Sequence, residues 1–256
     1  MELPDLINPL LILGAVLYIV SGTLFVLKRT KAAIVAMEVG WVMNLAVFAV
    51  NAMVVSDIPM GNMYQVQVVL ALCFPPLLLM FALRERLGWT ALYFAYGSAL
   101  PLIGAFFMDK QASWRRMPAL QSAWFVPHVL TYMIAYALCT VAFIMLIRMW
   151  IGRSRQTEYR RAIYQILRTA FPFMTFGMLC GALWAEAAWG RYWSWDAKEV
   201  WSLITWGLYA IYFHYRKSPW RKWGDLPHLL AFLALLTTFF LVNLLPKLGS
   251  LLHSYA

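Results

Sequence analysis

The sequence predicts an all-α, polytopic transmembrane bundle of about eight helices, and three observations carry that prediction. Of its 256 residues, 63% are hydrophobic and only 12% charged, with a mean hydropathy of +0.68. Such a chain lies outside the soluble range and must place most of its length in lipid. Apolar runs of spanning length recur along the chain, and the segments between them are short. Finally, Lys and Arg concentrate in alternate connections, as they do in multi-pass proteins.

The spans are predicted at roughly 9–27, 32–55, 65–83, 90–107, 124–147, 169–187, 197–214 and 228–246. The first follows a short acidic MELPD without the basic region of a cleaved signal peptide, and is expected to be a retained helix. Pro75 and Pro76 fall inside the third span and predict a kink or a break there. Glu38, Asn44 and Asn51 lie in the second, where each is expected to avoid lipid by facing the bundle and bridging helices. No repeat or low-complexity tract interrupts the series, so a single membrane domain covering 1–256 is expected.

Of the 21 Lys and Arg, 15 fall in the odd-numbered connections and six on the other side. Cytoplasmic loops carry the excess, so both termini and the connection before the seventh span are expected to face outward. Much of the net charge of +10 is then a topology signal and an attraction to anionic lipid rather than a nucleic-acid footprint. Cys73, Cys139 and Cys180 stand singly in apolar runs. They show no CxxC or CxxCH spacing, which excludes a disulfide framework, a thiolate metal site and covalent haem attachment to this chain. There is also no phosphate-binding loop, dinucleotide fingerprint, HExxH or nucleophile elbow.

The most informative stretch is WAEAAWGRYWSWDAKEVWSLITW, Trp184 to Trp206, which holds six of the 13 Trp. An interfacial belt needs indoles at headgroup depth, but not several of them gathered around Gly190 and Asp196. A flat aromatic wall suits a flat aromatic ligand. Asp196 and Glu199 open the seventh span, where capping alone accounts for both and is compatible with a positioning role for Asp196.

WGRYWSWDAKEVWSLITW resembles the tryptophan-rich WWD signature of haem-handling proteins of cytochrome c maturation. The nearest type is CcsA/ResC, with CcmC more distant. The resemblance extends to Met117–Ala137, Tyr209–His214 and Leu252–Ala256. It implies that Trp189, Trp193, Trp195, Asp196 and Trp201 belong to an extracytoplasmic platform for haem b. PMGNMYQVQ, Pro59–Gln67, is similar to a weaker family pattern of Asn and Tyr followed by Glu, but Gln65 stands in the acidic place, and no role is carried onto Asn62 or Tyr64.

The histidines fall into two sets. His128, at the outer end of the fifth span, and His253, beyond the eighth, lie on the same side as the Trp run. Two neutral imidazoles beside a planar apolar wall describe a bis-histidine haem site, and the resemblance implies that these two are its external axial ligands. His214 ends the seventh span about 27 Å from Asp196 along the helix and cannot share that site. In the family a histidine at this place ligates haem at an inner site, its partner coming from a CcsB/ResB-type protein. His228 carries no family motif and is read as an interfacial side chain.

The resemblance therefore implies the haem-presenting subunit of a holocytochrome c synthase, or haem lyase, in a bacterial plasma membrane or a thylakoid membrane. Its partners would be the bilayer, haem, an apocytochrome c and the CcsB/ResB-type protein. A haem chaperone of the CcmC kind and a HemX-like membrane regulator are the alternatives from other functional classes. The spacing WxWDxxExWSL and eight spans favour the first over CcmC, and the WWD stretch with His253 argues against the regulator.

Overall fold

The structure, a computed structural model, describes residues 3–110, 118–152 and 155–241. Among the described residues there are eight α-helices and no strand: α1 (Ile7–Val26), α2 (Thr30–Val55), α3 (Met63–Arg84), α4 (Ala91–Phe106), α5 (Phe125–Gly152), α6 (Gln156–Trp189), α7 (Ala197–Arg216) and α8 (Asp225–Leu236). A π-helical turn, Thr237–Leu241, continues α8. The predicted end of the eighth span, 242–246, lies outside the described residues. Five helices (α1, α2, α3, α5 and α6) are long and apolar enough to cross a membrane by length and composition. The protein is thus a multi-pass, all-α membrane protein. α4 is short at 16 residues, and α7 carries Lys198 and Glu199 in its first turn and His214 and Arg216 in its last.

The chain divides into two compact units, Met1–Leu120 and Gln121–Ala256. In the first unit, α1 packs on α2 and α4, and α3 packs on α4 and α2. Asn51 Nδ2 donates to the Tyr64 hydroxyl at 2.9 Å, and Asn44 Nδ2 donates to the Val68 carbonyl at 3.3 Å. These bonds bridge α2 and α3, as their sequence setting predicts. Glu38 corrects the same expectation: it lies on an exposed face of α2. Only eight residues from the start of the helix, or about 12 Å, its carboxylate is near enough to a membrane end to avoid full desolvation.

α3 runs unbroken through Pro75 and Pro76. Pro76 has no N–H for the carbonyl of Leu72, four residues earlier, and the indole N–H of Trp41 donates to that carbonyl at 3.1 Å. A side chain from α2 thereby repairs the defect. The segment before α3 is a cap. Asn62 Oδ1 accepts from the Gln65 N–H at 2.9 Å, and Gln65 Oε1 accepts from the Gly61 N–H at 2.7 Å. Both side chains satisfy orphan donors of the helix start.

In the second unit α5 packs chiefly on α6, and α7 on α8. α6 starts 13 residues before its predicted position, which is a correction to the sequence reading. Glu158, Arg160, Arg161 and Arg168 make that segment too polar for a span. Even so, Tyr159, Ala162, Ile163, Ile166, Leu167 and Ala170 form a buried stripe at helical spacing. With 34 residues α6 is about 51 Å long, well beyond the roughly 30 Å hydrocarbon layer, so the helix continues outside it. At the end of the unit opposite the Trp run, Asp225 ties three helices together. Arg160 of α6 and Arg216 of α7 each place a guanidinium nitrogen 2.7 Å from its carboxylate.

Candidate functional site

The tryptophan stretch folds as a helix end, a tight loop and a helix start. α6 terminates because Gly190 adopts a left-handed conformation (φ 72°), with its N–H bonded to the Glu186 carbonyl at 2.8 Å. α7 begins with a reciprocal cap. Asp196 Oδ1 accepts from the Glu199 N–H at 3.0 Å, and Glu199 Oε2 accepts from the Asp196 N–H at 3.3 Å. Glu199 also accepts from the Ser194 N–H at 2.8 Å, and its Oε1 lies 3.1 Å from the Ser194 hydroxyl. One carboxylate, only 8% exposed, therefore anchors the loop at three points. Between these anchors Trp195 is held at φ 61°, a left-handed conformation unusual for an aromatic residue, with 69% of its surface exposed.

His128 meets this loop's supporting wall. Its Nδ1 lies 2.8 Å from the Gly177 carbonyl, and its ring packs 5.5 Å from Trp184 and 5.1 Å from Tyr132, centroid to centroid. Because the carbonyl can only accept, Nδ1 carries the proton and the ring's lone pair sits on Nε2. Trp184, 1% exposed, then passes the aromatic wall on to Phe125 at 5.3 Å and Trp189 at 4.9 Å. Gly177 and Gly181 make the approach feasible; a Cβ at 181 would fall 2.6 Å from His128 Nδ1. Sequence reasoning read Glu199 as a cap and Trp184 as the start of the Trp run, and it missed the contact of Trp184 with His128 and this glycine pair as parts of the site. The one available signal was the i, i+4 spacing of the glycines, which puts them on one face of α6.

Of the other sequence-predicted residues, Trp193 and Trp195 pair edge to face at 5.9 Å, and the Trp193 indole N–H is buried without an acceptor. Trp201 is half-buried in α7. Trp206, at the end of the stretch, donates to the Thr175 hydroxyl at 2.9 Å and stacks on Phe171. Asp196 is half-buried and serves as the N-cap, so its contribution is to position the loop. His253 lies outside the described residues.

His214 and His228 are separated by the geometry of α7. Tyr209 and Tyr212 face α8 and pack on His228, with centroids 5.9 and 5.8 Å away. His214 is two residues past Tyr212, on the opposite side of the helix, and is exposed. It ends an open stripe with Ile204, Gly207 and Ile211, where a Cβ added to Gly207 would meet nothing within 4 Å. His228 is 0% exposed, which corrects its reading as an interfacial side chain. Among the described residues no three of His, Cys, Asp or Glu cluster as a metal site.

A multi-pass helical membrane protein with an aromatic wall and an oriented imidazole beside it is the class that the fold and this site define. The model of the cytochrome c assembly protein family matches residues 6–249, and the chain belongs to that family as a CcsA-type cytochrome c biogenesis protein. It is 33% identical over 217 residues to the cytochrome c biogenesis protein CcsA of Chlamydomonas reinhardtii, covering 77% of this chain and 60% of that protein. With CcsA of Mesostigma viride it shares 30% over 238 residues, 77% of each. The chain thus spans from under two thirds to about three quarters of these relatives. Among solved structures, the cytochrome c haem lyase CcmF superposes with a TM-score of 0.67 over 94% of this chain and 47% of that one. At 21% identity this likeness shows a shared fold.

Proposed function

We propose that this chain holds haem on the tryptophan-rich platform and presents it for thioether attachment to the CxxCH motif of an apocytochrome c. The observation that carries the reading is the orientation of His128: the Gly177 carbonyl fixes the Nδ1–H tautomer, and the ring stands against the Trp184–Trp189 wall. A hydrogen bond from Nδ1–H to a backbone carbonyl raises the basicity of the other nitrogen and sets the ring plane, as expected of an axial haem ligand. In this reading His253 is the second external ligand, and Trp193, Trp195 and Trp201 complete the aromatic wall.

Thioether formation adds each thiol across a haem vinyl group, sulfur to one carbon and hydrogen to the other, with no net change of oxidation state. The chain need supply no covalent nucleophile. Its work is to orient the vinyl groups toward the two thiols and to exclude water, both of which lower the barrier by fixing geometry in advance. Asp196 and Glu199 contribute by holding the loop. His214 suits an inner haem site whose second ligand comes from a CcsB/ResB-type partner, because it faces outward from α7 on an open stripe and away from His228. Haem would enter there and leave at the extracytoplasmic platform, in a bacterial plasma membrane or its thylakoid counterpart.

The test is the oxidised and reduced visible spectrum of the purified chain, alone and with a ResB-like partner. Wild type is compared with His128→Ala, His253→Ala and His214→Ala. Low-spin haem that the two external changes weaken or convert to high spin is the expected result. Haem lost with His214→Ala alone would move the resident site inward, and no haem in any preparation would overturn the reading.

A further inference from the structure

The end of the second unit away from the Trp run holds a group of polar atoms that the haem reading does not use. His228 is completely buried in the first turn of α8, and neither ring nitrogen has a hydrogen-bond partner. The rings beside it, Tyr209 and Tyr212, are also fully buried, and both hydroxyls are unpartnered. Arg216, one turn after Tyr212, lies 5.2 Å from the Tyr212 ring and joins the set through its buried, unpartnered Nε. The Ala142 carbonyl, the Cys139 thiol and the Arg216 guanidinium stand near His228, Tyr209 and the Tyr212 hydroxyl respectively, without meeting hydrogen-bond geometry. Five polar atoms from four residues thus share one small region.

An orphaned buried polar atom loses its hydration with nothing in return, and an apolar replacement would be better than five of them. What satisfies them must be small, because the His228 ring is already packed within 6 Å of both tyrosine rings. It must also both donate and accept. The Arg216 Nε–H only donates, one nitrogen of a neutral imidazole only accepts, and each phenol does either. An anion could not bond the accepting nitrogen, and a metal ion would be repelled by the guanidinium.

We infer that His228, Tyr209, Tyr212 and Arg216 form a water-binding site inside the second unit, hydrated through the Arg160–Asp225–Arg216 cluster at the unit's end. About two waters, each making two to four hydrogen bonds, suffice to join all five atoms. The site bridges α7 and α8 where no direct side-chain bond joins His228 to either tyrosine. It places an exchangeable, hydrated imidazole at the depth of the helix start. This inference stands apart from the haem reading, since none of its residues belongs to the platform.

The experiment uses the full chain in bilayers with ¹⁵N-labelled histidine, and measures magnetisation transfer from water to the imidazole nitrogens by solid-state NMR. The His228 signal is assigned by its loss in His228→Phe. Rapid water transfer to His228, weakened in Tyr209→Phe and Tyr212→Phe, is the expected result; its absence in the wild type overturns the site. Thermal unfolding gives a second reading. With bridging water, His228→Phe lowers Tm by about 2–4 °C, and its effect is non-additive with that of Tyr212→Phe. A dry cluster would instead be relieved by the phenyl ring, so a raised Tm with additive effects would also overturn it.

Discussion

The two units of this protein employ their buried polar groups differently. In the first, Ser21, Asn51, Asn62, Thr90 and Ser98 bond to a neighbouring helix or to local backbone, and among the described residues the unpartnered buried side-chain atoms are the Tyr18 hydroxyl and one amide atom each of Asn44 and Gln65. In the second, the unpartnered atoms include the Trp193 indole, two phenols and both nitrogens of one imidazole. The second unit also contains all four histidines. Polar residues of the first unit join helices, whereas several of the second have no hydrogen-bond partner within the described residues. On the proposed reading, the first unit is the scaffold and the second the half that handles haem, and the two make different demands on the same all-helical chemistry.

The sharpest test of that contrast compares two glycine substitutions of equal steric severity. A Cβ at Gly97 would lie 2.6 Å from Phe74 Cε1 in the first unit, and a Cβ at Gly181 2.6 Å from His128 Nδ1 in the second. Overpacking of this kind costs roughly 1–3 kcal/mol, so Gly97→Ala and Gly181→Ala should lower Tm comparably. Only Gly181→Ala should displace the imidazole from the Gly177 carbonyl, and only it should shift the haem spectrum from low to high spin. Equal haem loss in both would mean that ligand binding is not confined to the second unit.

Next in size is the comparison of the two helix caps. Glu199→Ala leaves the Ser194 and Asp196 N–H groups without their acceptor, which costs roughly 1–3 kcal/mol, and it frees the loop that holds Trp195 in its left-handed conformation. Tryptophan emission should change along with Tm. Asn62→Ala removes the corresponding cap of α3 at about 1 kcal/mol, and the emission should stay as in the wild type. An unchanged emission in Glu199→Ala would show that the platform loop holds its shape without that carboxylate.

Much of this architecture is legible in the sequence. Spans of about 20 apolar residues announce themselves because lipid requires every backbone group to be bonded within the helix, and seven of the eight starts fall within three residues of their predicted places. The start of α6 was hidden because span reasoning asks for uniform apolarity, while Gln156–Arg168 is helical through a one-sided stripe. The cap at Asp196 could be read from its position at the start of the seventh span. What could not be read was tertiary: that Gly177 offers His128 a carbonyl, that Trp184 relays the wall to Trp189, and that His214 leaves α7 on the side opposite to the one packed on His228 of α8. Each depends on rotation about a helix axis, which near-uniform apolarity leaves unspecified.

The smallest predicted effect probes how the first unit repairs itself. Trp41→Phe keeps most of the apolar contact but removes the N–H that reaches the Leu72 carbonyl, for a cost of about 0.5–1.5 kcal/mol. That carbonyl is orphaned because Pro76 has no N–H to offer it. In a Pro76→Ala background the helix can supply its own donor, and Trp41→Phe should then lose most of its cost in a double-mutant cycle followed by thermal unfolding. The coupling isolates the hydrogen bond from the packing of the indole, since packing is common to both backgrounds. Equal costs in the two backgrounds would show that Trp41 acts by filling space. In that case the first unit would tolerate an orphaned backbone acceptor in lipid, and the contrast with the second unit would rest on the histidines and the tryptophan platform alone.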